Sequence, residues 1–231
     1  MLRRWDDLPD FMRVNEVRPY WEILNKKRGQ LAAKRAFDLV VSLILFVILA
    51  IPMAVISLMI KIEDPGPVLY RQERVTRYGR KFRIHKFRTM VVNADKIGTA
   101  VTVGEDPRIT KVGERLRRVR LDELPQVIDV IVGNMSFVGT RPEAVRYVER
   151  YENEYYATLL MPAGITSECS IRYKDEDKLL DGAADVDDVY VNQVLPDKMK
   201  WNLKSIREFR FVGEIATMFR TVAAVAGKEY K

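Results

Sequence analysis

One apolar stretch dominates the hydrophobic pattern of the chain, and it runs through residues 39–60 without a charged residue. As a straight helix it would be about 33 Å long, which is enough to cross a hydrocarbon core of about 30 Å. Pro52 lies inside the stretch. A proline removes one helical hydrogen bond and clashes with the preceding turn. We therefore expect a kink or break at Pro52, with two arms that are each too short to cross a bilayer.

Basic residues flank the apolar stretch on both sides, whereas a spanning helix normally concentrates Lys and Arg on its cytoplasmic side. This symmetry favours a helix-break-helix that enters one leaflet and returns to the same face. A single-span helix with a tolerated proline remains an alternative. A helix of a soluble core is disfavoured because the run is apolar on all faces. The basic residues are Lys26, Lys27, Arg28, Lys34 and Arg35 before the stretch, and Lys61, Arg71, Arg74, Arg77, Arg80 and Lys81 after it.

The segment that follows predicts a β-hairpin. Two runs, 68–75 and 81–90, are strand-like, and the second alternates charged and apolar residues. Tyr78-Gly79-Arg80 predicts the link between them. His85, the single histidine of the chain, lies in the second run, and we interpret it as structural rather than catalytic.

Most of the remaining pattern predicts helices. Asp106 followed by Pro107 is typical of a helical start, with Asp106 as the N-cap. The Asp185-Val186-Asp187 sequence has the D-x-D spacing of many metal-binding glycosyltransferases, but we interpret it as a solvated helix cap. Helices are expected at 127–132, 142–160, 188–206 and 208–226.

Composition limits the partners. The net charge is +7 and the pI is about 9.4, which beside a membrane segment indicates anionic lipid head groups, phosphate ligands or both. Nucleic acid is disfavoured because the sequence contains no recognisable nucleic-acid motif. Cys169 is the only cysteine and cannot form an internal disulfide, which fits a reducing cytosolic face. The charged N-terminus does not resemble a cleavable signal peptide.

These patterns predict a mostly helical α/β protein with a small antiparallel hairpin and a membrane-embedded helix that is either re-entrant or a single span. We expect an N-terminal interfacial extension at 1–33, the membrane helix at 34–62, and a cytosolic domain at 63–231 that contains the candidate chemistry and has C-terminal amphipathic helices. Trp5 and Trp21 suit a membrane interface. Packing of the extension on the domain is an equally compatible interpretation.

Candidate chemistry lies where an arginine-rich turn leads into the acid pair Asp122 and Glu123. A solvated pair bridged to neighbouring arginines is the structural interpretation. In the functional one, Arg88, Arg117 and Arg141 grip a diphosphate through bidentate hydrogen bonds, and a divalent cation offsets negative charge. A carboxylate could then attack phosphorus and form an acyl phosphate.

Six motifs occur in the order found in one enzyme family, and the match to that family runs from about Lys34 to Arg220, most of the chain. The sequence resembles the monotopic phosphoglycosyl transferases of the bacterial sugar transferase family. The motifs are KR-x-FD at 34–38, DPGPVLYRQERV at 64–75, KFRTM at 86–90, DPRIT-x-x-G at 106–113, LDELPQ at 121–126 and GNMSFVGTRPE at 133–143.

The resemblance implies transfer of a phosphosugar from a UDP-sugar to undecaprenyl phosphate, with release of UMP, at the cytoplasmic face of the bacterial inner membrane. Asp122 matches the nucleophile and a ligand of Mg²⁺, and Glu123 matches its partner. The family's membrane helix is re-entrant and breaks near a proline that matches Pro52. The substrate-binding positions implied are Lys86, Arg88, Arg117 and Arg141.

Three departures from the family pattern qualify this. Ile51 replaces the serine common before the membrane proline, Thr140 replaces the first proline of G-P-R-P, and residues 162–167 differ from P-G-I-T-G. A non-catalytic membrane adaptor and a UDP-sugar pyrophosphatase are the alternative functions. The sequence determines neither the sugar, the pathway nor the oligomeric state, and it is compatible with a homo-oligomer.

Overall fold

A computed structural model describes residues 2–94, 106–173 and 185–225, in which helices surround two small two-stranded sheets. The prediction of a mostly helical α/β protein is confirmed. The strands are β1 (Leu69–Val75), β2 (Lys81–Phe87), β3 (Met135–Val138) and β4 (Ala163–Thr166). The helices are α1 (Arg18–Lys26), α2 (Arg28–Glu63), α3 (Lys111–Arg118), α4 (Gln126–Ile131), α5 (Val145–Val148), α6 (Glu168–Arg172), α7 (Val186–Val189), α8 (Leu195–Arg207) and α9 (Phe211–Val225).

The predicted hairpin is confirmed. Strands β1 and β2 pair antiparallel from Leu69 opposite Phe87 to Val75 opposite Lys81, and a short 3₁₀ turn at Arg77–Gly79 joins them. A second sheet, which the pattern did not predict, pairs β3 parallel to β4. Both of its strands are only four residues long, too short for their alternation to stand out in the sequence.

Several helix predictions need correction. Asp106 is not an N-cap, because its carboxylate binds Arg108 and the helix begins later, capped by Thr110. The helix predicted at 142–160 is instead α5 followed by a 3₁₀ segment at Asn153–Leu160. The cap interpretation of the D-x-D sequence is confirmed, since Asp185 accepts a hydrogen bond from the Asp188 amide at 3.0 Å.

The last two predicted helices are confirmed within the described residues. A π-helical turn at Tyr190–Val194 leads into α8, and α9 follows. Residue 226 of the final predicted helix and residues 174–184 lie outside the described residues.

The N-terminal segment packs on the domain and belongs to its main core. Met12, Val17 and Leu24 are fully buried there together with Leu160 and Leu203 from far later in the chain. Residues on both sides of α2 in the sequence therefore share one hydrophobic core.

Helix α2 is one continuous helix of 36 residues with Pro52 inside it, so the expected break does not divide it. We call the part before Pro52 the first arm and the part after it the second arm, and both arms are docked on the domain. In the first arm, Lys34 donates to the Val138 carbonyl at 2.8 Å, and Asp38 accepts from the Ser136 hydroxyl at 2.8 Å. In the second arm, Ile56 packs in a cluster with residues of β2 and α3.

Within the described residues, the middle of α2 is exposed. Val47 is 74% exposed and Ile51 is 77% exposed, whereas the ends of the helix make the contacts described above. In the part of the chain that the structure describes, α2 is the one helix with the length and composition to cross a membrane.

A buried ion pair attaches α9 to the first arm of α2. Lys34 lies 2.5 Å from Glu214, and both side chains are largely buried. Burial raises the pKa of Glu214 from 4.5 to about 7; the nearby Asp38 adds to this rise, and Lys34 opposes it.

We predict that this carboxyl makes the protein less stable as the pH rises from 5 to 8. The folded state holds the proton more tightly than the unfolded chain, so the free energy of unfolding falls by up to about 3 kcal/mol over this range. Thermal melting in detergent micelles at several pH values measures the slope. Glu214→Gln, which cannot titrate, should have a flatter slope, and equal slopes for both proteins would contradict the assignment.

Candidate active site

The acid pair lies on a single turn between α3 and α4. Arg120 adopts the left-handed conformation, with φ of 58°, and the chain then forms one 3₁₀ turn at Leu121–Glu123, which we call the dyad turn. Leu124 follows and packs in the cluster that contains Ile56 and Ile60 of α2. The acid pair is therefore followed directly by a residue that packs against the same hydrophobic cluster as the second arm of α2.

Glu123 is bound by two cations from separate elements. Its Oε1 accepts from Lys86 Nζ of β2 at 2.8 Å and from Arg141 Nη2, in the loop after β3, at 2.7 Å. Burial would raise the pKa of Glu123, but Arg141 and Lys86 outweigh that effect and hold the pKa well below its usual range. Glu123 is thus ionised, and it orients two positive charges within one site.

The pKa of Asp122 is shifted in the opposite direction from that of Glu123. Burial raises the pKa of its carboxyl and the Glu123 charge adds to the rise, whereas Lys86 and Arg117 oppose it. Two acids that are neighbours in sequence are therefore driven apart in pKa, a feature that is common at reactive sites. A partly desolvated carboxylate among cations is suited to nucleophilic attack on an anionic phosphorus centre.

The structure brings five of the six predicted residues of the dyad region together, and these are Asp122, Glu123, Lys86, Arg117 and Arg141. Arg88 is directed elsewhere. It is 6% exposed, donates to the Asp64 carbonyl and lies 3.6 Å from the Asp64 carboxylate at the end of α2. Its role in substrate binding stays a prediction.

The loop that carries Arg141 is held by backbone bonds between the ends of β3 and β4. The Gly164 amide donates to the Thr140 carbonyl at 2.8 Å, and the Gly139 amide donates to the Thr166 carbonyl at 3.0 Å. A side chain on Gly139 would meet the Pro162 carbonyl at 2.7 Å, so the close approach requires glycine. Thr140 holds the loop through its carbonyl, so this bond does not depend on the side chain that replaces a proline of the family pattern.

A buried polar network that sequence reasoning missed lies behind this loop. Glu143 accepts from the Tyr190 hydroxyl at 2.8 Å and from Lys198 at 3.1 Å, and all three side chains are buried. Burial would raise the pKa of Glu143, but Lys198 and the other partners lower it. Lys198 gave no signal in the sequence because a single lysine on an amphipathic helix normally faces solvent.

The structural interpretation of His85 fits its contacts. Its backbone amide and its Nδ1 both lie 2.9 Å from the carboxylate of Asp129, which is fully buried in α4. The pair joins β2, which carries Lys86, to the helix that follows the dyad turn.

Metal binding here would depend on few protein ligands. Within residues 2–94, 106–173 and 185–225, no group of three or more His, Cys, Asp or Glu side chains is arranged to hold a metal ion. Because Glu123 binds two cations, Asp122 is the carboxylate suited to a metal. Mg²⁺ is commonly held by one or two carboxylates, substrate phosphates and water. Asp122 would supply the protein carboxylate of such a site, with phosphate and water as the other ligands.

We predict that Lys86→Met raises the pKa of Asp122 further, because it removes the cation that most strongly opposes the rise. Carboxyl ¹³C chemical shifts measured as a function of pH would show the change, with Asp122→Asn used to assign the resonance. Lys86→Arg, which keeps the charge, should titrate near the wild type. A titration midpoint that does not move in Lys86→Met would contradict the electrostatic account.

Comparison with known proteins finds relatives whose names describe undecaprenyl-phosphate sugar-phosphate transferases. The chain is 45% identical over 130 residues to a Bacillus subtilis protein provisionally named an undecaprenyl-phosphate N-acetylgalactosaminyl 1-phosphate transferase, covering 56% of this chain and 72% of that protein. It is 36% identical to the Escherichia coli UDP-glucose:undecaprenyl-phosphate glucose-1-phosphate transferase, covering 82% of this chain and 39% of that enzyme.

A third relative is the UDP-N-acetylgalactosamine-undecaprenyl-phosphate N-acetylgalactosaminephosphotransferase of Aeromonas hydrophila, with 31% identity over 83% of this chain and 43% of the relative. The chain thus spans nearly three quarters of the Bacillus protein and less than half of the other two. The profile of the bacterial sugar transferase family matches residues 29–228, and the chain belongs to that family.

Proposed function

We propose that this enzyme transfers a sugar 1-phosphate from a UDP-sugar to undecaprenyl phosphate and so initiates the assembly of a bacterial polysaccharide. The names of the relatives support the acceptor, and two of those names specify a UDP-sugar donor. The observation that carries the proposal is the dyad turn, where one carboxylate binds Lys86 and Arg141 and the other lies next to them, partly desolvated.

In the first step a carboxylate oxygen of Asp122 attacks the β-phosphorus of the donor. A bond forms between that oxygen and phosphorus, the bond from phosphorus to the bridging oxygen breaks, and UMP leaves with the electron pair. Lys86, Arg117 and Arg141 are suited to bind the diphosphate and to stabilise the charge that develops on it. Without these cations an anionic nucleophile would be repelled by an anionic substrate.

In the second step an oxygen of undecaprenyl phosphate attacks the phosphorus of the phospho-aspartyl sugar. The bond to Asp122 breaks, its carboxylate is restored, and the product is an undecaprenyl diphosphosugar. A Mg²⁺ held by Asp122 and the donor's diphosphate would neutralise phosphate charge. Glu123 keeps Lys86 and Arg141 in place through both steps.

The membrane geometry of the proposal is a re-entrant α2 on the cytoplasmic face of the inner membrane. Residues before α2 and residues after it pack into one core, which a chain with its two ends on opposite sides of a bilayer could not form. The bare apolar middle of α2, around Val47 and Ile51, would then enter one leaflet. This arrangement brings the dyad turn, next to the second arm, close to the level of the lipid phosphates.

We predict that Asp122→Asn abolishes both UMP release and covalent labelling by a UDP-sugar that carries ³²P in its β-phosphate. An amide does not form the acyl phosphate, so turnover should fall by more than about 10³-fold. A screen of UDP-sugars with undecaprenyl phosphate identifies the donor and serves as the assay. Labelling that persists in Asp122→Asn would show that another residue is the nucleophile.

The same assay separates the alternative functions. A pyrophosphatase would release UMP at the same steady-state rate whether or not the lipid acceptor is present. A non-catalytic adaptor would release no UMP, and Asp122→Asn would not change its docking to lipid or to a partner. The proposed two-step reaction instead gives about one UMP per enzyme without acceptor and continuous release with it.

We predict that both ends of α2 are accessible to a membrane-impermeant reagent from the cytoplasmic side only. Arg28→Cys and Lys61→Cys, each in a Cys169→Ser background, place a thiol at exposed positions near the two ends. Both should react with a membrane-impermeant maleimide in inverted vesicles and not in right-side-out vesicles, whereas Ile51→Cys should be protected by lipid in both. Reaction of the two end positions from opposite sides would instead show a single span.

A further inference from the structure

The last residue of α2 makes a contact that none of the catalytic steps uses. The carboxylate of Glu63 accepts hydrogen bonds from the amides of Lys111 at 2.8 Å and Val112 at 2.9 Å. These are the first two residues of α3, and the first amides of a helix have no partner within the helix. A residue 48 positions earlier in the sequence thus caps the helix that leads to the dyad turn.

Helix α3 is confined on its other sides as well. Gly113 lies against the backbone of Thr89, where an added Cβ would be 2.0 Å from the carbonyl oxygen. The Thr110 amide donates to that same carbonyl at 3.0 Å. Leu116 belongs to the cluster that contains Ile56 of α2. The first half of α3 is therefore held between the segment that follows β2 and the cluster that includes the second arm of α2.

The C-terminal end of α3 reaches the reacting group. Arg117 lies in its last turn and lowers the pKa of Asp122 through its charge. The dyad turn follows after Arg120, and Leu124 packs against the cluster that contains Ile56 and Ile60 of α2 together with Phe87 and Leu116. The segment that contains Asp122 is thus bonded to α2 before the turn, by Glu63, and shares a hydrophobic cluster with α2 after it.

We propose that Glu63 is a positioning residue that fixes Arg117 and the Asp122 carboxylate relative to the second arm of the membrane helix. This inference rests on the proposed function, because it is tested by the rate at which Asp122 forms the phospho-aspartyl sugar. Of the three cations that are suited to bind the diphosphate, only Arg117 lies on α3, whereas Lys86 and Arg141 lie on other elements. Loss of the Glu63 contact should therefore affect the rate more than the binding of the donor.

The test compares Glu63→Ala and Glu63→Gln with the full-length wild type by rapid-quench measurement of UMP release in one turnover, without lipid acceptor. Glu63→Ala should slow formation of the covalent intermediate about tenfold, because small displacements of reacting groups lower rates steeply. KM for the UDP-sugar should change less than about threefold, since other cations bind the diphosphate. Glu63→Gln keeps an acceptor oxygen for only one of the two amides, so its rate should lie between those of Glu63→Ala and the wild type.

Glu114→Gln is the matched control, because Glu114 is an exposed carboxylate in the first turn of the same helix. It should release UMP at the wild-type rate. Wild-type single-turnover rates in Glu63→Ala, even with a lowered melting temperature, would overturn the inference and show a purely structural cap. Equal slowing in Glu63→Gln and Glu63→Ala would also overturn it. Failure of the wild type to release UMP or become labelled would overturn the proposed function instead.

Discussion

Attachment of both arms of one apolar helix to a single folded body is the constraint on which the rest of this structure depends. The first arm is bonded to β3 through Lys34 and Asp38, and the second packs under β2 and α3 through Ile56 and Ile60. Within the described residues the middle of the helix is exposed at Val47 and Ile51, and an apolar surface of this kind favours lipid over water. Leu124, directly after the dyad turn, packs against the same cluster as the second arm, and the proposed reaction would use this position to bring a soluble donor and a lipid acceptor to one site.

The chemistry of the site follows from the opposite pKa shifts of two adjacent acids. Glu123 receives two charge-assisted hydrogen bonds, from Lys86 and Arg141, and its ionised form is strongly favoured. Asp122 shares the surroundings, but burial dominates and raises its pKa. The arrangement supplies positive charge where a diphosphate would lie, while the potential nucleophile is only partly hydrated. An isolated acid pair on a solvated turn would have neither property.

Precision at the site depends on contacts made far from it. Buried charges are tolerated only when they have partners: Glu143 is paired with Lys198, and the Asp129 carboxylate is hydrogen-bonded to His85. The first pair supports the loop of Arg141, and the second connects the strand of Lys86 to α4. Glu63 adds a third support, from the membrane helix itself. Each of the elements that carry the dyad and its cations is therefore fixed by a polar contact to another element.

The sequence by itself determined what local periodicity and residue order encode: the apolar helix, the β1–β2 hairpin, the dyad and most of its cations. It could not divide the helix predicted at 142–160, nor find the short β3–β4 pair, because these depend on packing rather than on propensity. Only the tertiary structure decided that Arg88 binds at Asp64, that Lys198 supports Glu143, and that the segments on either side of α2 share a core. The physical reason is that the partner of a charge or of an apolar face is set by distance in space, and no pattern along the chain specifies that distance.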